Sequence, residues 1–195
     1  MDVKIIIATH KLYDMPEDKI YLPLHVGREG KEALPYQPDN TGDNISEKNP
    51  SFCELTGLYW AWKNLECDYL GLAHYRRHFT VRSRSYQKSH TPMECVLSGQ
   101  ELNVLIPKYE IIVPQKRKYY IESLYSHYAH THYAEHLDLT RDIISEKYPE
   151  YLTGFDKVVK ETSGYMFNMY IMKKSLSDEY CAWLFDILFE LEKRV

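Results

Sequence analysis

The chain has 195 residues, 44% of them hydrophobic, and a net charge of -4, which is enough apolar material for one folded core and excludes disordered or collagen-like classes. The acidic balance argues against a partner such as duplex nucleic acid, and no apolar run reaches the roughly 20 residues a helix needs to cross a bilayer. The N-terminus, three isoleucines after Met1-Asp-Val-Lys, lacks the longer apolar region and cleavage site of a secretory signal, so the chain is expected in the cytoplasm.

Residues 3–9 (VKIIIAT) form a short β-branched run, the pattern of a central strand covered on both faces in a parallel sheet. A second strand is expected over 20–26, ending at Gly27, and residues 28–50 read as a long ordered loop rich in Gly, Pro, Asn and Asp. The clearest helix is expected over 51–64, started by Pro50, with Ser51 and Glu54 at capping-box spacing and Leu55, Leu58, Tyr59 and Trp62 on one face. A strand over 69–73 follows, so strand, loop, helix and strand succeed one another as in an α/β fold. Strand 110–113, helices 121–136 and 140–148, strand 164–172 and helix 176–193 complete the expected order. No repeat or domain boundary is visible, and residues 1–195 read as a single domain. The four widely spaced cysteines, Cys53, Cys67, Cys95 and Cys181, read as buried reduced thiols.

Several constellations could carry chemistry. Residues 39–49 (DNTGDNISEKN) put carboxylates, amides and a serine directly before a helix start, where backbone amides attract anions and Asp or Asn can hold sugar hydroxyls. His74-Tyr75-Arg76-Arg77 stands at the C-terminal end of a strand, the end at which open α/β sheets bind ligands. Adjacent strand residues point in opposite directions, so only one of the two arginines is expected to face a given ligand. No acidic residue occurs between Tyr69 and Met93, whereas Arg76, Arg77, Arg82, Arg84 and Lys88 make the stretch basic. His127, His130, His132 and His136 cluster further on, and His132-Tyr-Ala-Glu135-His136 matches the inverted zinc-peptidase pattern. A wall of histidines and tyrosines around a pocket is the preferred reading of that cluster. The 18 tyrosines would suit a hydroxylated ligand such as a sugar, although tyrosine as the ordinary core aromatic is the simpler account. Dinucleotide, Walker and nucleophile-elbow motifs are absent, and so is Asp-x-Asp.

Taken together, Lys4-Ile-Ile-Ile-Ala-Thr-His10, residues 21–27 (YLPLHVG), 41–50 (TGDNISEKNP), 54–64 (ELTGLYWAWKN), His74-Tyr-Arg-Arg77, 164–172 (GYMFNMYIM) and 183–192 (WLFDILFELE) resemble a bacterial family of capsular and exopolysaccharide glycosyltransferases long catalogued as a domain of unknown function. The resemblance covers nearly the whole chain. It implies a GT-A-like α/β fold with a mostly parallel sheet, a UDP-sugar donor, galactofuranose in some relatives, and a surface polysaccharide or lipid-linked oligosaccharide acceptor. It is compatible with peripheral contact at the cytoplasmic face of the inner membrane. Members commonly continue further, so Val195 reads as a truncation point with part of the acceptor site beyond it. The carry-over puts Thr9, His10, His25, Gly27, Asn44, Ser46, His74 and Tyr75 against the donor. Asp43, Glu47, Arg76 and Arg77 are the catalytic candidates, with Glu161 a further candidate base. His127, His130, His132 and Glu161 would line the acceptor side. Because His74 to Arg77 stands where many such enzymes carry Asp-x-Asp, an arginine can neutralise the leaving diphosphate in place of Mn or Mg, and metal dependence stays open. A zinc hydrolase on His132, Glu135 and His136, and a sugar-nucleotide-binding module without turnover, are the alternatives.

Overall fold

The computed structural model describes all 195 residues. In chain order the strands are β1 (Val3–Thr9), β2 (Tyr21–His25), β3 (Gln37–Pro38), β4 (Tyr69–His74), β5 (Ile111–Ile112), β6 (Arg117–Lys118), β7 (Ser163–Gly164) and β8 (Tyr170–Lys173). The α-helices are α1 (Asn49–Phe52), α2 (Leu55–Asn64), α3 (Arg84–Ser89), α4 (Gly99–Leu105), α5 (Leu124–Thr131), α6 (Ala134–Lys147), α7 (Pro149–Val158) and α8 (Lys174–Arg194). Residues group into two compact units, Met1–Pro114 with Asn168–Asp178, and Gln115–Phe167 with Glu179–Val195.

The first unit is an α/β sheet in the order β3-β2-β1-β4-β8-β5, in which β8 alone runs against the rest. The β-branched run of β1 lies at its centre as expected, with Ile5, Ile6 and Ile7 fully buried beside Leu70 and Leu72 of β4. Each such side chain contributes roughly 1.5–3 kcal/mol by leaving water. Ile5 and Ile7 pack with Leu102 of α4 and with Leu97. On the other face α2 approaches closely through Gly57, where a Cβ would stand 2.6 Å from Val26 and 2.8 Å from Leu24. The chain leaves β1 toward β2 on one side and returns from β3 to β4 on the other, so a topological switch point lies between the C-terminal ends of β1 and β4.

The expected helix over 51–64 is in fact two. Cys53 has a left-handed φ of 49° and separates α1 from α2, and Ser51 caps nothing because Pro50 already lies inside α1. The buried face of α2 is Thr56, Gly57, Leu58, Trp60 and Ala61, and Leu55, Tyr59 and Trp62 lie only half-buried, because the sheet meets the helix at its glycine. The capping box that does form is Ser98 with Glu101, at the start of α4. The strand expected over 164–172 is likewise split, since Phe167 and Asn168 take φ of 70° and 54° and turn the chain between β7 and β8.

The second unit is mainly helical. Ile143 and Ile144 of α6 and Ile187 of α8 form its core with Tyr148, Leu152, Phe155, Trp183 and Leu191. The helix expected over 121–136 ends at Thr131, and α6 already begins at Ala134, because His132 has extended backbone (φ -143°, ψ -172°). Helix α7, opened by Pro149, was not expected. Its proline at the first helical position reads equally well as a turn.

Candidate functional site

A cleft of about 490 Å³ opens at the switch point, lined by residues following β1 (His10), β2 (Val26, Lys31), the α1–α2 break (Asn49, Cys53, Glu54) and β4 (His74, Tyr75, Arg76, Arg77). Position follows from the fold, because the parallel strands deliver the residues at their C-terminal ends to this edge of the sheet.

His74 to Arg77 makes a tight turn, with the His74 amide donating to the Arg77 carbonyl (3.1 Å) and the Arg77 amide to the His74 carbonyl (2.9 Å). The strand alternation that would separate the two arginines has therefore ended, and both Arg76 and Arg77 line the cleft. Tyr75 is the platform beneath Arg76. Its ring is buried and takes the edges of His10 (5.4 Å) and Tyr13 (5.1 Å), while the Arg76 guanidinium lies 4.9 Å and Lys11 Nζ 5.3 Å from the ring centre. Such stacking holds cations in place without neutralising them. The lining is thus rich in positive charge, with Glu54 as its carboxylate. Asn168 donates to Glu54 Oε1 at 2.9 Å, which uses the left-handed turn before β8 to orient that carboxylate.

Asp39 organises the loop behind the cleft. This fully buried carboxylate accepts from the backbone amides of Gly27 (2.7 Å) and Arg28 (3.0 Å) and from the hydroxyls of Ser46 (2.5 Å) and Thr56 (2.7 Å). It ties the long loop to β2 and α2, the arrangement a buried charge requires. Gly27, at φ 61°, admits the Asn49 side chain where a Cβ would collide with it, and Asn49 in turn accepts from Lys31 (3.3 Å).

The expected donor residues therefore divide. His10, His74, Tyr75, Arg76 and Arg77 come together on the cleft. Thr9 and His25 are buried behind it, Thr9 closing a turn by donating to the Lys11 carbonyl (2.7 Å). Burial lowers the His25 pKa, with Asp39 pulling the other way, and its Nδ1 is unpartnered. Ser46 is spent on Asp39, and Asn44 on Gly42 and Ser46 within its own loop. Asp43 accepts from Tyr59 (3.2 Å) and Glu47 is exposed, and neither lines the cleft. Lys31, Asn49, Cys53 and Glu54 do line it, and sequence spacing gave none of them a ligand role. Cys53 is exposed rather than buried, since the α1–α2 break turns it outward, and its thiol pKa is raised first by desolvation and then by Glu54.

A second cavity of about 230 Å³ shares Arg76 with the cleft and is lined also by His78, Phe79, Thr80, Gln87 and His90. Burial, and next the nearby His74, lowers the His78 pKa.

In the second unit, His127 and His132 line an apolar cavity of about 420 Å³ with Tyr119 and Tyr128. His130 instead faces Glu122 (2.7 Å), and Glu161 pairs with Lys116 (3.0 Å), so these two expected wall residues lie elsewhere. The zinc pattern fails geometrically. His132 closes one helix and Glu135 and His136 open the next, so the two histidines are not stacked one turn apart on one helix. No group of three or more His, Cys, Asp or Glu side chains gathers anywhere in a metal-holding arrangement. The donor set of the cleft, one oriented carboxylate among cations, fits an anion rather than a divalent metal.

Comparison with known proteins agrees with this architecture. The family model described as "Domain of unknown function (DUF4422)" matches residues 4–195. Among solved structures, the apo form of the WbbM bifunctional glycosyltransferase is similar with a TM-score of 0.86 and 30% sequence identity, over 100% of this chain and 38% of that one. The chain thus spans under half the length of that protein. No curated protein matches.

Proposed function

The chain belongs to the family described as domain of unknown function DUF4422, and from that premise we propose that it is a glycosyltransferase domain of GT-A type, moving a sugar from a UDP-linked donor to a surface-polysaccharide precursor. The observation that carries this reading is the cleft at the switch point, which Arg76, Arg77 and Lys31 line together with the buried Tyr75. Support comes from the likeness to WbbM across the full chain.

In this reading the donor diphosphate lies on Arg76 and Arg77. Charge grows on the leaving phosphate oxygens as the glycosidic bond breaks, and a planar guanidinium can meet two of those oxygens at once. Lys31 adds a point charge from the loop, and the Tyr75 ring, 4.9 Å from the Arg76 guanidinium, restrains its position. Glu54 lines the same cleft as Arg76 and Arg77, so in this reading the incoming hydroxyl approaches from the cleft side. Glu54, held through one oxygen by Asn168, is the carboxylate to accept the acceptor's proton if the reaction inverts configuration. It replaces Asp43 and Glu47 in that role because they do not line the cleft, and Glu161 is paired with Lys116 in the second unit. Galactofuranose as the sugar and a lipid-linked oligosaccharide as the acceptor rest on family resemblance.

Thermal unfolding with added nucleotides tests the reading. UDP at 100 times its dissociation constant should add about 2.7 kcal/mol of stability, and ADP, GDP and NAD should add nothing. A purified chain that another nucleotide stabilises and UDP leaves unchanged would overturn the donor assignment. Transfer should also persist in chelator; its loss, with recovery on adding Mn or Mg, would return the diphosphate to a metal.

A further inference from the structure

The segment before α5 carries a combination that the cleft chemistry does not use. Ile121 and Tyr120 are 94% and 82% exposed, the two most exposed large hydrophobic side chains of the chain. Tyr120 has a φ of 62°, a backbone state that a bulky residue seldom adopts. The tip is nonetheless anchored at both ends, because the Tyr119 amide donates to the Thr162 carbonyl (2.8 Å) and the Leu124 amide to the Glu161 carbonyl (2.8 Å). Tyr119 itself turns inward, its ring 4.0 Å from that of His127. Two adjacent apolar side chains are thus presented on a fixed base.

Charge surrounds them. Lys116, Arg117 and Lys118 lead into the tip and Lys160 lies on the strand of chain beside it, all exposed. The nearby carboxylates are already engaged: Glu161 by Lys116 at 3.0 Å, and Glu122 by His127 and His130 at 3.1 and 2.7 Å. The Arg117 guanidinium lies 5.3 Å from the Tyr119 ring and Lys160 acts at a distance on Asp156, so both stay charged and exposed, and with Lys118 they face an outside anion. Tyr165, 56% exposed, stands beside Lys116 with its ring 5.3 Å from Nζ and widens the aromatic rim. A chain of net charge -4 has concentrated cations around its most exposed apolar tip.

A single exposed hydrophobe is ordinary. An aromatic and an aliphatic residue side by side on an anchored tip, ringed by lysine and arginine, match the demands of a bilayer surface instead, with apolar groups for the acyl boundary and cations for lipid phosphates. We propose that this tip docks the protein on an anionic membrane, Tyr120 and Ile121 entering the interface while Arg117, Lys118 and Lys160 hold headgroup phosphates. The inference is independent of the sugar-transfer reading.

Flotation with vesicles decides it. The purified chain should bind vesicles containing phosphatidylglycerol at low salt and leave pure phosphatidylcholine vesicles unbound. Ile121→Asp and Tyr120→Ser should each cut binding at least tenfold with circular dichroism unchanged. Arg117→Gln with Lys118→Gln should cut it about thirtyfold, near 1 kcal/mol for each basic residue. Arg84→Gln with Lys88→Gln, an equal loss of charge in the first unit, should leave it intact. The proposal is overturned if anionic vesicles do not bind, if the control pair loses as much as the tip pair, or if the tip variants only convert an oligomer to a monomer, which would make a second copy the occupant.

Discussion

The two units of this chain are built on opposite economies of charge. In the first, continuous aliphatic strands exclude water, and its one fully buried carboxylate, Asp39, meets four donors. In the second, helices share a small core and are laced at the surface, Arg141 to Asp156 through two bonds (2.7 and 2.8 Å), Arg194 to Glu146 through two (3.1 and 2.7 Å), and Lys147 to Asp186 at 2.6 Å. Exposed pairs are individually weak. The difference teaches where function can be placed: a cleft that must hold cations close together needs a rigid sheet beneath it, whereas a surface held by exchangeable pairs can meet partners.

The largest expected effect falls on the cleft. Arg76→Ala or Arg77→Ala should lower turnover by about 10²–10³-fold while donor affinity falls far less, because an interaction that strengthens as charge develops acts on the barrier. Arg→Lys should rescue incompletely, since a point charge does not reproduce a planar fork. Equal losses in KM and kcat/KM with kcat unchanged would reduce both arginines to ordinary donor binding.

Next is Asp39→Ala, which strands two amides and two hydroxyls and should cost at least about 3 kcal/mol. Urea unfolding followed by the fluorescence of Trp60 and Trp62 in the first unit should show it, and UDP stabilisation should vanish. Asp43→Ala should do neither. If the two variants behave alike, the loop is not organised from Asp39.

Sequence reading reached the first unit more easily, and the reason is physical. β1 is buried on both faces, so its apolar run is unbroken, and β4 ends at a polar tetrapeptide that marks the cleft. What stayed hidden depended on contacts distant in sequence or on backbone state. Asp39 looks like any loop aspartate until Thr56 and Gly27 arrive beside it, and Glu54 reads as a capping partner until Cys53 turns left-handed and Asn168 reaches it. The zinc alternative could not be dismissed from sequence because three residues cannot report that a helix stops between them, whereas the preferred wall of histidines and tyrosines is met by His127 and His132 with Tyr119 and Tyr128. In the second unit, side chains that pair at the surface leave the helical period weak, and α7 escaped notice.

Acid should loosen the second unit. Hydrogen bonds from Arg141, Arg194 and Lys147 hold the carboxyls of Asp156, Glu146 and Asp186 below their usual range. A depressed folded pKa means stability that is complete above the unfolded value, near 4, and is lost as pH falls through the folded one. Trp183 fluorescence should therefore report loosening of the second unit as the pH drops below about 4, and molar salt should reproduce part of it at neutral pH. A transition in Trp183 that ignores both pH and salt would mean that the small core alone holds these helices.

The smallest effect is kinetic and probes the cleft without disturbing it. Cys53 is the exposed cysteine, whereas Cys95 and Cys181 are buried and Cys67 half-buried with its thiol pushed up to about 11. A thiol-specific reagent should accordingly label Cys53 first, and Cys53→Ser should remove that fast phase. Because thiolate is the reactive form and desolvation with the Glu54 charge raises the Cys53 pKa, labelling should be slow at neutral pH and climb steadily as the solution becomes alkaline. Glu54→Gln should quicken it by removing the neighbouring negative charge. UDP should slow it severalfold, since a nucleotide on Arg76 and Arg77 covers the same lining. Protection by UDP in the wild type that needs somewhat more UDP in Arg76→Ala would place the nucleotide on that turn. Labelling that UDP leaves untouched, in a protein that UDP does stabilise, would move the nucleotide out of this cleft.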